Sequence, residues 1–151
     1  MSAIGKLATH HVGVNVTDLD RSLAFYADVL GFDVLGEGKE EDSRFAFLGQ
    51  DGTLVLTLWQ QADDDYAPGR AGLHHLAFEA ESLDHVRAAE AALTARGATF
   101  AYDGLVAHRE GSASGGIFFH DPDGTRLEIS VPKGLEAAEA PSSTAPTCGF
   151  F

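Results

Sequence analysis

A repeat constrains this chain more than any other feature. The run His10-His11-Val12-Gly13-Val14 returns 64 residues later as His74-His75-Leu76-Ala77-Phe78. The offset persists beyond the histidines, since Leu19-Asp20 falls on Leu83-Asp84 and Ala24 on Ala88. A fixed offset means one supersecondary unit used twice, and each copy of roughly 60 residues is too small to hold a core alone. Each paired-histidine run alternates like a strand and leads into helical spacing. Leu19, Leu23, Tyr26 and Leu30 carry the first helix, with Asp18 as its N-cap and Gly31 as its stop. Leu83, Val86, Glu90 and Leu93 carry the second, between Ser82 and Gly97.

Three strand-like runs follow each helix. The first copy has Phe32–Leu35, Arg44–Leu48 and Thr53–Trp59; the second has Ala98–Tyr102, Gly116–His120 and Thr125–Val131. Asp51-Gly52 and Asp121-Pro122-Asp123-Gly124 are the hairpin turns before the last strand of each copy. The expected fold is therefore α+β, with two β-α-β-β-β modules forming a cupped, mostly antiparallel sheet. Residues 1–132 make one domain of two modules (about 8–59 and 73–132, with a linker at 60–72), and residues 133–151 make a C-terminal tail. The acidic triplet Asp63-Asp64-Asp65 in the linker reads as a solvated loop. The tail is rich in Ala, Glu, Pro, Ser and Thr and is expected to be mobile, unless its closing Phe150-Phe151 docks in an apolar groove.

Composition narrows the function classes. With 151 residues and a formal net charge of −13, the chain repels phosphate backbones, so no nucleic-acid partner is expected. No apolar run approaches the roughly 20 residues needed to span a bilayer, so no membrane partner is expected either. The start lacks the apolar core of a signal peptide, and Cys148 has no second cysteine to pair with, so a cytoplasmic location is expected.

Strand parity separates the members of each histidine pair. Val12, Val14 and Val16 share a face with His10, leaving His11, Gly13 and Asn15 on the other. Leu76 and Phe78 go with His74, leaving His75, Ala77 and Glu79 opposite. In the last strand Leu127, Ile129 and Val131 form the apolar face, and Glu128 lies on the other with Arg126 and Ser130. His11, His75 and Glu128 thus form a candidate 2-His-1-carboxylate metal site, a set that suits Fe(II) or Mn(II) and also Zn(II). Matching Asp51-Gly52-Thr53 to Asp123-Gly124-Thr125 sets Leu56 opposite Glu128, with Thr57 next along, so this fourth corner carries no ligand. His10 and His74 are expected to pack at the sheet edge or adjust the neighbouring imidazoles; His85 and His120 are expected to be exposed.

These residues resemble the vicinal oxygen chelate superfamily of glyoxalase I, bleomycin-resistance proteins, fosfomycin-resistance enzymes and extradiol dioxygenases. The resemblance rests on His11 to Leu19, Ser22 to Tyr26, Val29 to Phe32, His75 to Phe78 and Asp121 to Glu128. It covers residues 8 to about 132. It implies paired modules around a cupped sheet, a homodimer, a small-molecule substrate, and metal ligation by His11, His75 and Glu128.

The departures from each branch narrow the reaction. The second ligand of glyoxalase I falls on Leu56 or Thr57. The threonine of the fosfomycin enzymes is Gly13 here, and no arginine follows Glu128 in the tail. The tyrosine and second-sphere histidine of extradiol dioxygenases correspond to Phe118 and Gln60. The expected function is a small metalloenzyme that chelates adjacent substrate oxygens, dioxygenase-like, with Fe(II) first and then Mn(II), Zn(II) or Ni(II). A metal-dependent lyase, isomerase or fosfomycin-type enzyme, and a metal-free sequestering protein, are the alternatives. Arg126, Tyr102 and His108 are the candidate catalytic groups, with Ser130, Arg109 and Glu110 beside them. The glycine- and serine-rich segment 111–116 is expected to be a mobile rim, and Phe45, Phe47 and Trp59 line the cavity or its core.

Overall fold

The computed structural model describes residues 3–149 and residue 151. Two compact units, Met1–Asp64 and Asp65–Phe151, meet inside the segment expected as the linker. The first contains β1 (Val12–Asn15), α1 (Leu19–Leu23), β2 (Asp33–Glu40), β3 (Ser43–Gln50) and β4 (Thr53–Trp59). The second contains β5 (Leu76–Glu79), α2 (Leu83–Ala95), β6 (Val106–Ala107), β7 (Gly115–His120) and β8 (Arg126–Val131). Each unit has its own four-stranded mixed sheet, in the orders β1-β4-β3-β2 and β5-β8-β7-β6. The first strand runs parallel to the last, and the other pairings are antiparallel. The fold is α+β, as the repeat implied.

Alternation puts the apolar faces where parity requires. Val14 and Val16 are buried with Leu19, Ala46, Leu48, Leu56 and Leu58 in the first unit; Leu127 and Ile129 are buried with Val86 and Leu93 in the second. The first helix packs on β3 and β4, the second on β7 and β8. Both expected caps form. Asp18 Oδ1 accepts from the Arg21 amide at 3.0 Å and Ser82 Oγ from the His85 amide at 3.1 Å, satisfying amides that the first turn leaves unpaired.

The first helix is not one continuous α-helix. After Leu23 it widens into a π-helical stretch, Ala24–Val29, in which the Leu30 amide reaches back to the Phe25 carbonyl. Widening reduces the angular step between neighbours, and the adjacent Phe25 and Tyr26 are both buried. Strand β2 also runs on to Glu40 through a glycine-containing stretch. Gly38 stands opposite Phe45, whose ring occupies the space a Cβ would need, so the glycine here makes room for an aromatic.

Two expectations in the second unit are corrected. Residues 98–102 do not form a strand; among them a single bridge joins Phe100 to Phe119, and the edge position is held by the two-residue β6. The expected rim at 111–116 is tied down: Gly115 and Gly116 begin β7, and the Ala113 carbonyl accepts from the Leu135 amide. The tail docks on its own unit. Leu135 is buried, the Ala107 amide donates to the Glu139 carbonyl, and a short 3-10 turn forms at Thr147–Gly149. Of the closing phenylalanines, Phe150 lies outside the described residues. Among the described residues no helix is long and apolar enough to cross a membrane.

Candidate metal centre in the second unit

The hairpin before each final strand sets which side chains reach the site face. In the second unit Asp121 Oδ1 accepts from the amides of Asp123 and Thr125, both at 2.9 Å, which locks the turn and starts β8 in register. Ala77, Glu128 and Phe118 then stand side by side across β5, β8 and β7. In the first unit Gly13, Thr57 and Phe47 take the same places across β1, β4 and β3. The residue equivalent to Glu128 is therefore Thr57, not Leu56. Matching the turns misplaces it by one, because β4 carries a β-bulge: Leu48 pairs with Leu56 but Gly49 with Leu54, leaving Val55 as the extra residue. Leu56 accordingly points into the apolar core, fully buried. Thr57 faces the other way; its hydroxyl accepts from Trp59 Nε1 at 2.9 Å, and a Cβ at Gly13 would stand only 3.3 Å from it.

The second unit brings together much of the expected site. The Glu128 carboxylate is only 3% exposed, with His75 Nε2 at 3.8 Å from Oε2 and His108 Nε2 in contact with Oε1. His108 is fixed from behind by Ser114 Oγ, 2.8 Å from its Nδ1. A carboxylate this buried requires a compensating cation or donor, and its neighbours are metal-ligand residue types. Burial lowers the His75 pKa from 6.5 more than the Glu128 charge raises it, favouring the neutral imidazole that a metal needs. One atom each from His75, Glu128 and Cys148 lie within 4.8 Å of one another, a nitrogen, oxygen and sulfur set that fits a divalent cation.

Cys148 is not among the residues the sequence points to, since a lone cysteine in a polar tail gives little signal. Its thiol pKa is raised from 9.0 by burial and then by the Glu128 charge. Tyr102 forms part of the wall: its ring centroid lies 5.5 Å from that of Phe118, and its hydroxyl donates to the Thr147 carbonyl at 3.0 Å. Burial raises its pKa above 10.0. Phe151 completes the wall, 5.0 Å from Phe118 and 5.7 Å from His75, with the Arg126 guanidinium 5.7 Å from its ring centroid. His120, expected exposed, is half-buried with an Nδ1 that is shielded and makes no hydrogen bond, because Arg126 pairs across from it and Phe151 packs 6.3 Å away. Arg109, Glu110 and His85 are exposed, and Ser130 is half-buried beside the site.

His11 belongs to the first unit, exposed just before β1. Its Nδ1 lies 2.8 Å from His10 Nδ1, and His74 and His75 repeat the contact at 2.8 Å. One nitrogen of each contact must carry the proton, so the tautomers of the two histidines in each pair are linked. On the same unit Phe45, Phe47 and Trp59 form an aromatic cluster with centroids 5.2 to 6.3 Å apart. Gln60, at the position of the second-sphere histidine of extradiol dioxygenases, instead accepts from the Leu19 amide at 2.7 Å and caps the first helix.

Paired modules with a His/Glu cluster on one sheet face define a class, and comparison with known proteins agrees. The chain belongs to the Glyoxalase/Bleomycin resistance protein/Dioxygenase superfamily, whose profile matches residues 8–129. It is 32% identical over 131 residues to the Escherichia coli (strain K12) protein YaeR, covering 83% of this chain and 97% of that one. It is 34% identical over 137 residues to a lactoylglutathione lyase of Haemophilus influenzae, covering 84% and 94%. Among solved structures, a glyoxylase/bleomycin resistance protein/dioxygenase domain from Frankia superposes with a TM-score of 0.72 at 26% identity, covering 85% and 100%.

Proposed function

We propose that the protein is a metal-dependent enzyme of this superfamily whose ligands are His11, His75 and Glu128, acting dioxygenase-like on a small substrate with adjacent oxygens. The observation that carries the reading is the buried Glu128 carboxylate with His75 Nε2 3.8 Å from it, while the equivalent strand position of the first unit holds Thr57, which is no fourth ligand. His11, His75 and Glu128 would hold a divalent metal, Fe(II) first and then Mn(II), Zn(II) or Ni(II), which would supply Lewis acidity to adjacent substrate oxygens. The surrounding residues do the rest. Glu128 balances the charge of the cation, Phe118 and Tyr102 exclude water, and Arg126 offers a positive charge to an anionic substrate. His108, whose Nε2 meets Glu128 and whose Nδ1 meets Ser114, holds or passes a proton at the edge of the site.

A lyase or isomerase is the second reading, favoured by the similarity to a lactoylglutathione lyase. Against it stands Thr57, a hydroxyl already engaged by Trp59 where that chemistry wants a carboxylate. The test begins with metal content after purification without added metal. Anaerobic loading with Fe(II), followed by oxygen uptake on catechols and other vicinal diols, supports the first reading. Turnover under argon with Mn(II), Ni(II) or Zn(II) supports the second. Metal binding by a His75→Ala variant as tight as wild type sinks both. The same samples, run by light scattering, test the homodimer that we infer for the assembly.

A further inference from the structure

The C-terminal tail reaches the candidate centre with more order than its composition calls for. Thr147, only 2% exposed, is held three times: its amide donates to the His108 carbonyl at 2.9 Å, its hydroxyl to the Ala107 carbonyl at 2.6 Å, and its carbonyl accepts from Tyr102 at 3.0 Å. The next residue is Cys148, and beyond it Phe151 packs on Phe118 and His75. The backbone is pinned immediately before a thiol that points to the same small volume as His75 and Glu128, with the three ligand atoms no more than 4.8 Å apart. Atoms on opposite sides of one bound ion stand about 4 Å apart, so closing the set takes a small side-chain adjustment.

We propose that Cys148 Sγ is a further ligand of the metal bound at His75 and Glu128, making the tail an internal cap that substrate must displace. The inference rests on the metal reading above and adds to it a sulfur ligand from outside the repeated modules. As the sulfur–metal bond forms, the thiol proton leaves to solvent. Sulfur also biases the site towards thiophilic ions, so Zn(II), Co(II) and Fe(II) gain over Mn(II).

Co(II) titration of the metal-free, full-length protein separates the possibilities. Wild type is expected to show visible ligand-field bands together with a near-ultraviolet sulfur-to-cobalt charge-transfer band. In Cys148→Ala the charge-transfer band disappears, the visible bands remain, and Co(II) affinity falls by at least about tenfold, the lower bound seen when even an outer partner of a ligand is lost. Affinity for Mn(II) hardly changes. Bound Zn(II) is also expected to slow alkylation of Cys148 by iodoacetamide. Visible bands in wild type without the charge-transfer band overturn the role of Cys148 and leave the metal reading standing. Absence of any Co(II) binding overturns both. Equal alkylation rates with and without bound Zn(II) count against the thiol ligand alone.

Discussion

The two sheets share an architecture yet differ at one position that decides their chemistry. In the first unit the site face of the last strand carries Thr57, whose hydroxyl is engaged by Trp59 beside Phe45 and Phe47. In the second the equivalent place holds Glu128, surrounded by His75, His108 and Cys148. Both side chains are buried, 2% and 3% exposed, so solvent does not distinguish them. The neighbours do: one position is satisfied internally by a neutral hydrogen bond, while the other holds an acid that needs a cation or proton donors. A duplicated fold can thus keep its strand order while one copy satisfies this position internally and the other leaves an acid there.

The largest effect that breaks this contrast is expected from Glu128→Gln. It keeps the size and removes the charge, so divalent-metal affinity measured by calorimetry falls by more than the roughly 100-fold upper range for an outer partner. Next comes Leu56→Ala, which empties a fully buried position and costs about 2–5 kcal/mol in chemical denaturation. Thr57→Val costs only about 1 kcal/mol, the loss of one hydrogen bond. Reversal of that order would place Leu56 on the site face and undo the equivalence of Thr57 with Glu128.

Between Leu56→Ala and Thr57→Val in size is the effect expected from His74→Ala, which removes the ring in contact with His75 Nδ1 and weakens metal binding about 10–100-fold without unfolding the protein. Smallest is Asp20→Asn at the exposed ion pair of the first unit, where Arg44 Nη2 lies 2.9 Å from Oδ1. The Arg44 hydrogen bond, then its charge, holds the Asp20 carboxyl below 3.8. Its stabilising contribution is complete above 3.8 and fades as pH falls through the lowered value. The variant should therefore show a shallower loss of melting temperature below that pH, and added salt should narrow the difference.

Much of this was legible in the sequence because the signals are periodic. Alternation identified Val14, Val16, Leu127 and Ile129 as core, and the same parity put His75 and Glu128 on one face of the second sheet. Asp18 and Ser82 cap helices through their own side chains, so residue type alone pointed to them. What escaped has a different character. The bulge at Val55 is a backbone event in a residue that suits any strand, so counting from the turn placed Leu56 one residue out. The edge of the second sheet is only two residues long. The tail is held largely by backbone groups, such as the Ala107 amide on the Glu139 carbonyl, and backbone bonds leave no mark on composition. Cys148 carries no signal in the sequence because its meaning comes from where those bonds deliver it.

The additional residue in β4 also acts as a phase shift in the pleat. The two hairpins reach the same strand register from turns of unequal length, so the copies are not interchangeable parts. A chimera in which Val55 pairs with Leu48 instead of bulging puts Leu56 opposite Phe47 on the open face and sends Thr57 towards the helix, inverting the strand. Any recombination of the halves, natural or designed, has to carry the bulge together with the β3–β4 pairing that holds it.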